Sequence, residues 1–360
     1  MDAAVPAGVQ ACSREFLEVV KAASDTTVTF AVEWSRRRAL RWRRKLHFGS
    51  YLDYDPASYS DELKRALAAN NITHVFLNRA ELLRFAPLVR NLAANVTVVV
   101  MSHGNQTGDD LYEVAGPGGR GSTLGSTWKL GLDLRTESYM RHRFVDAVCA
   151  MSEEEAVLER WLGTKRVFVI PRIVDFEFLD WNPVPGRAGF VGTLDHTPNR
   201  AALEQLLPLL DGAPDELEVE LVGVPQTIGE KFQSRFRKVR YRGVLWGDKL
   251  TELAVGWSLF LNPIFWLPRG ASMKLGGALG WGLPVLTTRS GRRGYRIPDT
   301  CVITCRDDPR VFAEEVVRLL QDAHRCRAVR ESLLNSTAEF PTARSVGRQL
   351  RRELVGEARG

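Results

Sequence analysis

The 360 residues are 44% hydrophobic and 26% charged, an ordinary globular balance with enough apolar mass for a sizeable core, and the length suits two α/β domains better than one. No apolar run approaches the roughly 20 residues that span a bilayer, and MDAAVPAGVQACSREF lacks the basic-then-apolar pattern of a signal peptide. The five cysteines are scattered, and Cys301 and Cys305 have no second pair to complete a zinc site, so reduced thiols in a cytoplasm are expected.

The chain opens on a helix-like REFLEVVKAA without the buried apolar strand that normally begins a doubly wound domain, so that strand is either cut off or lacking. Thr27–Glu33 is the first strand candidate, and Thr73–Asn78, Val96–Ser102, Asp146–Ser152 and Val167–Ile170 follow. Between the first two, RRRALRWRRK (36–45) carries seven basic residues and no acid. A positive field of that density attracts phosphate, and a solvated helix face is the plainer alternative. Ser60 is a plausible cap for the helix DELKRALAAN, and Pro87 interrupts ELLRFAPLVRNLAA. VVVMSHGNQTGDD (98–110) is an apolar strand opening into a polar loop. A histidine at a strand's carboxyl end faces the ligand crevice of a doubly wound sheet, which singles out His103; a bond within its own loop is the alternative. Asp109 and Asp110 fit either sugar hydroxyls or a solvated turn.

DFEFLDWNPVPGR (175–187), with two prolines, a glycine and no periodicity, reads as an interdomain linker. A second series of strands follows at Ala188–Val191, Glu218–Val222, Val239–Tyr241, Ser258–Asn262, Val285–Thr288 and Val302–Thr304, and the chain from Pro309 on reads as helical. The alternation of strands and helices predicts two doubly wound parallel sheets, with ligands at the carboxyl ends of the strands. In 262–288 a strand ends at Asn262-Pro263 and a helix begins near Ala271. A helix N-terminus carries free N–H groups and about half a positive charge, a ready anion site. Gly270 lets the backbone approach a diphosphate, Arg269 flanks it, Ser272 can donate, and Lys274 lies in the first turn. RSGRRGYR (289–296) reads as an exposed loop rather than a lining of the crevice.

FVGTLDHTPN, VLWGDKLTELAVGWSLFLNPI and RGASMKLGGALGWGLPVLTT together resemble the retaining glycosyltransferases of family 4, the group 1 glycosyltransferases, across about residues 145–295. The resemblance implies a GT-B fold: an N-terminal Rossmann-like acceptor domain over 1–176, a C-terminal nucleotide-sugar domain over 177–340 facing it across a cleft, and a helix over 341–360 returning to the first. It implies a nucleoside diphosphate sugar as donor, a glycan or glycolipid hydroxyl as acceptor, retention of configuration, and a role in polysaccharide biosynthesis. Gly192, Thr193, Gly270, Ser272, Met273 and Lys274 would line the diphosphate, and His103 would contact the donor sugar. Lys274 and Arg269 would supply the charge, with no metal or other cofactor. Partners would be the donor, the acceptor and, through Arg36–Lys45, an anionic membrane surface at the inner face of the membrane; no nucleic acid is expected. The chain departs from the pattern at Gly277, where relatives usually carry a ribose-holding glutamate, and in the loop LDHTPNR, where they often place Arg and Lys. A GT-B relative that binds without catalysing is the alternative.

Overall fold

A computed structural model describes residues 8–46, 48–116, 121–266 and 270–355. They form two compact units, an N-terminal one of residues up to 171 joined by Gly270 and by 343 onward, and a C-terminal one over 172–266 and 271–342.

The sheet of the N-terminal unit has four parallel strands, β1 (His74–Asn78), β2 (Thr97–Met101), β3 (Ala147–Ala150) and β4 (Arg166–Val169), in the order β1-β2-β3-β4. Val98, Val99, Val100, Ala147 and Val148 are fully buried, which is why continuous apolar runs rather than alternating ones make these strands. The helix Ser60–Ala69 follows a tight turn over Pro56–Tyr59, so its cap position falls on Tyr59 and not on Ser60. Pro87 stands in the first turn of the helix Ala86–Leu92, where its missing N–H costs nothing.

Thr27–Glu33, the first strand candidate, joins neither sheet. Phe30 and Val32 pack on the core and Glu33 N–H donates to the Tyr59 hydroxyl at 2.8 Å, but no strand edge meets this segment's backbone. β-forming residues make a strand only where an edge is available to pair.

The last helix, Ala343–Val355, packs on the helix Gly8–Ala23. Gly347 permits the approach, because a Cβ there would lie 2.6 Å from the Ala22 Cβ. Arg351 of the last helix also pairs at 2.7 and 3.0 Å with Asp25, just beyond the end of the first.

Six parallel strands build the C-terminal unit: β5 (Val184–Val191), β6 (Glu218–Val222), β7 (Val239–Tyr241), β8 (Trp257–Asn262), β9 (Val285–Thr288) and β10 (Ile303–Cys305), ordered β10-β9-β8-β5-β6-β7. The order reverses between β5 and β8, the point at which such sheets open a ligand crevice. Trp257 is fully buried and donates to Glu220 at 2.6 Å. Gly189 makes room for it, since a Cβ there would fall 2.0 Å from the indole.

Two expectations need correction in this unit. The stretch read as a linker is built into the unit: Trp181 donates to the Trp257 carbonyl at 2.7 Å, and Val184 already begins β5. A register shift between Val184 and Ala188 absorbs Pro185 and Gly186, the devices by which a strand tolerates such residues. RSGRRGYR is not an exposed loop either. Ser290, Gly291 and Arg293 are buried, and Ser290 bonds Asp307 through N–H at 2.9 Å and hydroxyl at 2.8 Å. Among the described residues no helix is long and apolar enough to cross a membrane.

Candidate functional site

β5 and β8 deliver their following loops to the reversal point of the C-terminal sheet. β5 runs out into Gly192 and Thr193, and the helix Thr197–Leu210 starts beyond them with Pro198 in its first turn. Asn199 of that turn is buried and donates from Nδ2 to the Thr193 carbonyl at 2.8 Å. β8 ends at Asn262, which is fully buried. Its Nδ2 donates to Thr287 Oγ1 at 2.8 Å and to the Gly291 carbonyl at 3.1 Å, and its Oδ1 accepts from Ser272 Oγ at 2.8 Å. The Tyr295 hydroxyl donates to the Ser272 carbonyl at 2.9 Å. Ser272 is thereby fixed from two sides just ahead of the helix Met273–Gly280, two residues later than the start expected near Ala271.

Lys274 stands in the first turn of that helix, half-buried. Its Nζ donates to Asn199 Oδ1 and lies 4.9 Å from the centre of the Phe190 ring. No carboxylate pairs with it among the described residues, and burial lowers its pKa to about 7. The arrangement is an ammonium group held by an amide and a ring face, at a helix N-terminus whose free N–H groups add positive potential. Such a group binds anionic oxygen.

The family model described as "Glycosyl transferases group 1" matches residues 185–322, the stretch that contains this constellation. Among solved structures, Anabaena HepE in complex with UDP is 12% identical with a TM-score of 0.66, over 99% of this chain and 98% of that one. The lipopolysaccharide outer core galactosyltransferase WaaB is likewise 12% identical, with a TM-score of 0.63 over 98% of each chain. The chain has the GT-B fold. TarM shares it at 10% identity and a TM-score of 0.59, although this chain spans only 57% of TarM. No curated protein matches the sequence.

Gly192, Thr193, Ser272, Met273 and Lys274 of this GT-B chain all belong to the C-terminal unit. Gly192 keeps its place because a Cβ would come within 3.0 Å of Asn199 Nδ2, the group that orients Lys274's partner. The Met273 side chain is occupied by Arg172, whose guanidinium lies 2.9 Å from its Sδ. Gly270 groups with the N-terminal unit; its φ is +73° and its N–H donates to Glu155 Oε1 at 2.5 Å. A Cβ at Gly270 would lie 3.1 Å from the His103 carbonyl oxygen. Arg269 lies outside the described residues.

His103 follows β2, with Nε2 3.0 Å from Asn78 Oδ1 and its ring edge-on to Phe16 at 5.0 Å. Asp110 is not part of a solvated turn. It is buried and receives Lys129 Nζ at 2.5 and 2.7 Å, and Lys129 also reaches Asp133 at 2.9 Å. Burial first, then the neighbouring Asp110, raises the Asp133 pKa to about 6. Among the described residues no group of three His, Cys, Asp or Glu side chains is placed to hold a metal.

Sequence reasoning passed over Asn199, Asn262 and Tyr295. Asn199 sits inside the quoted FVGTLDHTPN and Asn262 ends a buried strand, which is signal enough to mark a polar side chain that must find partners. Nothing local marks Tyr295. Gly277 is exposed, and a Cβ there would meet nothing within 4 Å.

Proposed function

We propose that the chain transfers a sugar from a nucleoside diphosphate sugar to a hydroxyl of a glycan or glycolipid, with retention of configuration and in the assembly of a polysaccharide or related glycan. The observation that carries this reading is Lys274, an unpaired ammonium group in the first turn of a helix at the reversal point of the family-matched sheet. Breaking the bond between the anomeric carbon and the β-phosphate oxygen builds negative charge on the departing diphosphate. In this reading Lys274 and the helix N-terminus offset that charge, in place of a metal. HepE has been captured with UDP, and a uridine donor is the first to try. Thermal shift with UDP-, GDP- and ADP-sugars tests the reading: a donor at a hundred times its Kd stabilises the native state by about 2.7 kcal/mol. A wild type that no donor stabilises would sink it.

Gly277 favours the second reading, a protein that binds without catalysing, because no acid stands ready for the ribose. The open space at this position makes the question testable. Gly277→Glu is expected to fold, since the helix prefers glutamate to glycine. It should raise donor affinity roughly tenfold by adding a charge-assisted bond to the ribose. Unchanged affinity in calorimetric titration would mean that the ribose is held from elsewhere.

The place of action we infer is the anionic inner face of the membrane. The helix Arg38–Lys45 buries no residue, and Trp34, Trp42, Leu46 and Phe48 are all exposed beside it. Asp55 and Asp53 pair with Arg37 and Arg44, while Arg36, Arg38, Arg41, Arg43 and Lys45 have no ion pair among the described residues. Exposed aromatics with surplus basic charge suit an interfacial surface, at about 1 kcal/mol per basic residue near anionic lipid. Binding to phosphatidylserine vesicles should fall steeply between 50 and 300 mM salt, and Arg38, Arg41 and Arg43→Gln together should weaken it without lowering the melting temperature. Binding indifferent to salt or to these substitutions would return the helix to a solvated face.

A further inference from the structure

β1 and β2 end side by side at the carboxyl edge of the N-terminal sheet, the edge at which such sheets meet their ligands. Asn78 closes β1 and Met101 closes β2, and the two are register partners. His103 stands two residues past the end of β2, in a loop that is tied down on both sides of it. Ser102 N–H donates to the Cys149 carbonyl at 2.9 Å, and Ser102 Oγ accepts from Gly104 N–H at 3.1 Å. The Asn105 side chain then caps the helix Gln106–Ala115 by accepting from Gly108 N–H at 2.8 Å.

The imidazole itself is held through the helix Gly8–Ala23, which presents Ser13 and Phe16, three residues apart, on one face. Phe16 is buried and meets the ring edge-on at 5.0 Å. The Ser13 carbonyl accepts from Asn78 Nδ2 at 3.4 Å. A carbonyl oxygen has no hydrogen to give, so the Asn78 amide must turn its nitrogen to Ser13 and its oxygen to His103. That oxygen lies 3.0 Å from His103 Nε2, and it too can only accept. Nε2 therefore carries a hydrogen, and in the neutral ring Nδ1 then carries none.

We propose that Asn78 is the positioning residue of a histidine that recognises sugar: it keeps the His103 hydrogen on Nε2, so that Nδ1 is an acceptor for a sugar hydroxyl. The proposal rests on the sugar-transfer reading above. A phosphate or carboxylate oxygen without a hydrogen has nothing to offer Nδ1 in this tautomer, whereas any hydroxyl does. Charge recognition thus stays with Lys274, and His103 reads neutral oxygen. Two sugars carry such hydroxyls, the one transferred and the one that receives it, and the arms of the experiment separate them.

The test is nitrogen-15 NMR of the full chain with labelled histidine at about pH 8, where an ordinary imidazole is neutral. His103→Gln assigns the signals of His103 among the six histidines. The wild type should show one tautomer at His103, with the hydrogen on Nε2. Asn78→Leu removes the acceptor and should give a mixture, whereas Asn78→Asp still accepts and should restore the single form. UDP-glucose, GDP-mannose or ADP-glucose should move the Nδ1 signal, and the matching bare diphosphate should not, when the transferred sugar supplies the hydroxyl. Methyl glycosides should move it when the receiving sugar does. The sugar that moves the signal should bind Asn78→Leu roughly two- to tenfold more weakly, with affinity for the bare diphosphate unchanged. A hydrogen on Nδ1 in the free protein, a tautomer indifferent to Asn78→Leu, or an Nδ1 signal that no bound sugar moves would overturn the proposal and leave sugar transfer standing. Failure of every nucleotide sugar and glycoside to bind would overturn both.

Discussion

Lys274→Met is expected to weaken nucleoside diphosphate binding roughly ten- to a hundredfold, the worth of a charge-assisted contact of about 1.5–3 kcal/mol. Methionine keeps an apolar chain over Phe190 and removes only the charge and the bond to Asn199. The pH dependence makes the expectation sharper. Burial lowers the Lys274 pKa to about 7, whereas an unfolded lysine titrates near 10.4. In the free protein the amine is therefore about half protonated near pH 7 and nearly fully so only a unit or more below, and a bound diphosphate would pull its proton back on. Above pH 7, UDP binding should take up a proton, and affinity should fall by up to tenfold per pH unit. Stability of the free protein follows the opposite sign. Between about pH 7 and 10.4 the unfolded state holds more protons, so stability rises with pH across that window, and the rise should be missing from Lys274→Met. Titration calorimetry of UDP from pH 6.5 to 9.5, in buffers of different ionisation heat, measures the uptake. Wild-type binding without it would place the diphosphate elsewhere.

Arg141→Met should lower the melting temperature of the protein by roughly 10 °C. Arg141 and Glu159 are both fully buried, and Arg141 donates to Glu159 from two nitrogens, that from Nη2 at 2.8 Å. Removing one member of a buried pair leaves the other charged and dry, at about 3–5 kcal/mol, and each kcal/mol moves a melting point by about 2–4 °C in a unit of this size. Glu137, on the same face of the helix Leu124–Phe144, has its own partners in the Tyr51 hydroxyl and the Gln106 and Thr107 amides. The loss thus falls chiefly on Glu159, although the Glu137 carbonyl, which accepts from Arg141 at 3.3 Å, and its buried carboxylate also lose a neighbouring charge. Arg141→Met with Glu159→Leu should recover much of it, because an apolar pair of similar volume often replaces a buried ion pair without loss. Differential scanning calorimetry separates the cases, and a single variant that melts within 3 °C of wild type would show that Glu159 finds another partner.

The strands were legible because most of them are buried on both faces and read as short apolar runs between turn residues. Glu218–Val222, Val239–Tyr241 and Val285–Thr288 are bounded in the fold as they are in the sequence. Where tertiary partners decide, local sequence misled. Thr27–Glu33 has a strand's composition and no edge to pair with. RSGRRGYR has a loop's composition, yet Asp307 and the Asn262 side chain draw it into the core. The glycine, serine and lysine ahead of β9 marked an anion-binding turn. What orients the lysine is an asparagine 75 positions earlier, and no local pattern shows that link. The Gly270 amide illustrates the same limit, since its partner Glu155 is 115 residues away.

The pairing of the helix Ala343–Val355 with Gly8–Ala23 has a consequence for how the chain is made. Residues 172–266 and 271–342 supply the C-terminal unit, so it can close as soon as it leaves the ribosome. The N-terminal unit, although synthesised first, must wait for its last helix. Until then Gly347's side of the contact is missing and the apolar face of Gly8–Ala23, with Val19 and Val20, has no cover from it. The Asp25–Arg351 pair closes a loop of 326 residues, which is slow to find but adds little thermodynamic cost, since each doubling of loop length takes only about 0.6 kcal/mol. Synthesis order and folding order are therefore reversed: the half that begins the chain is the last to be finished.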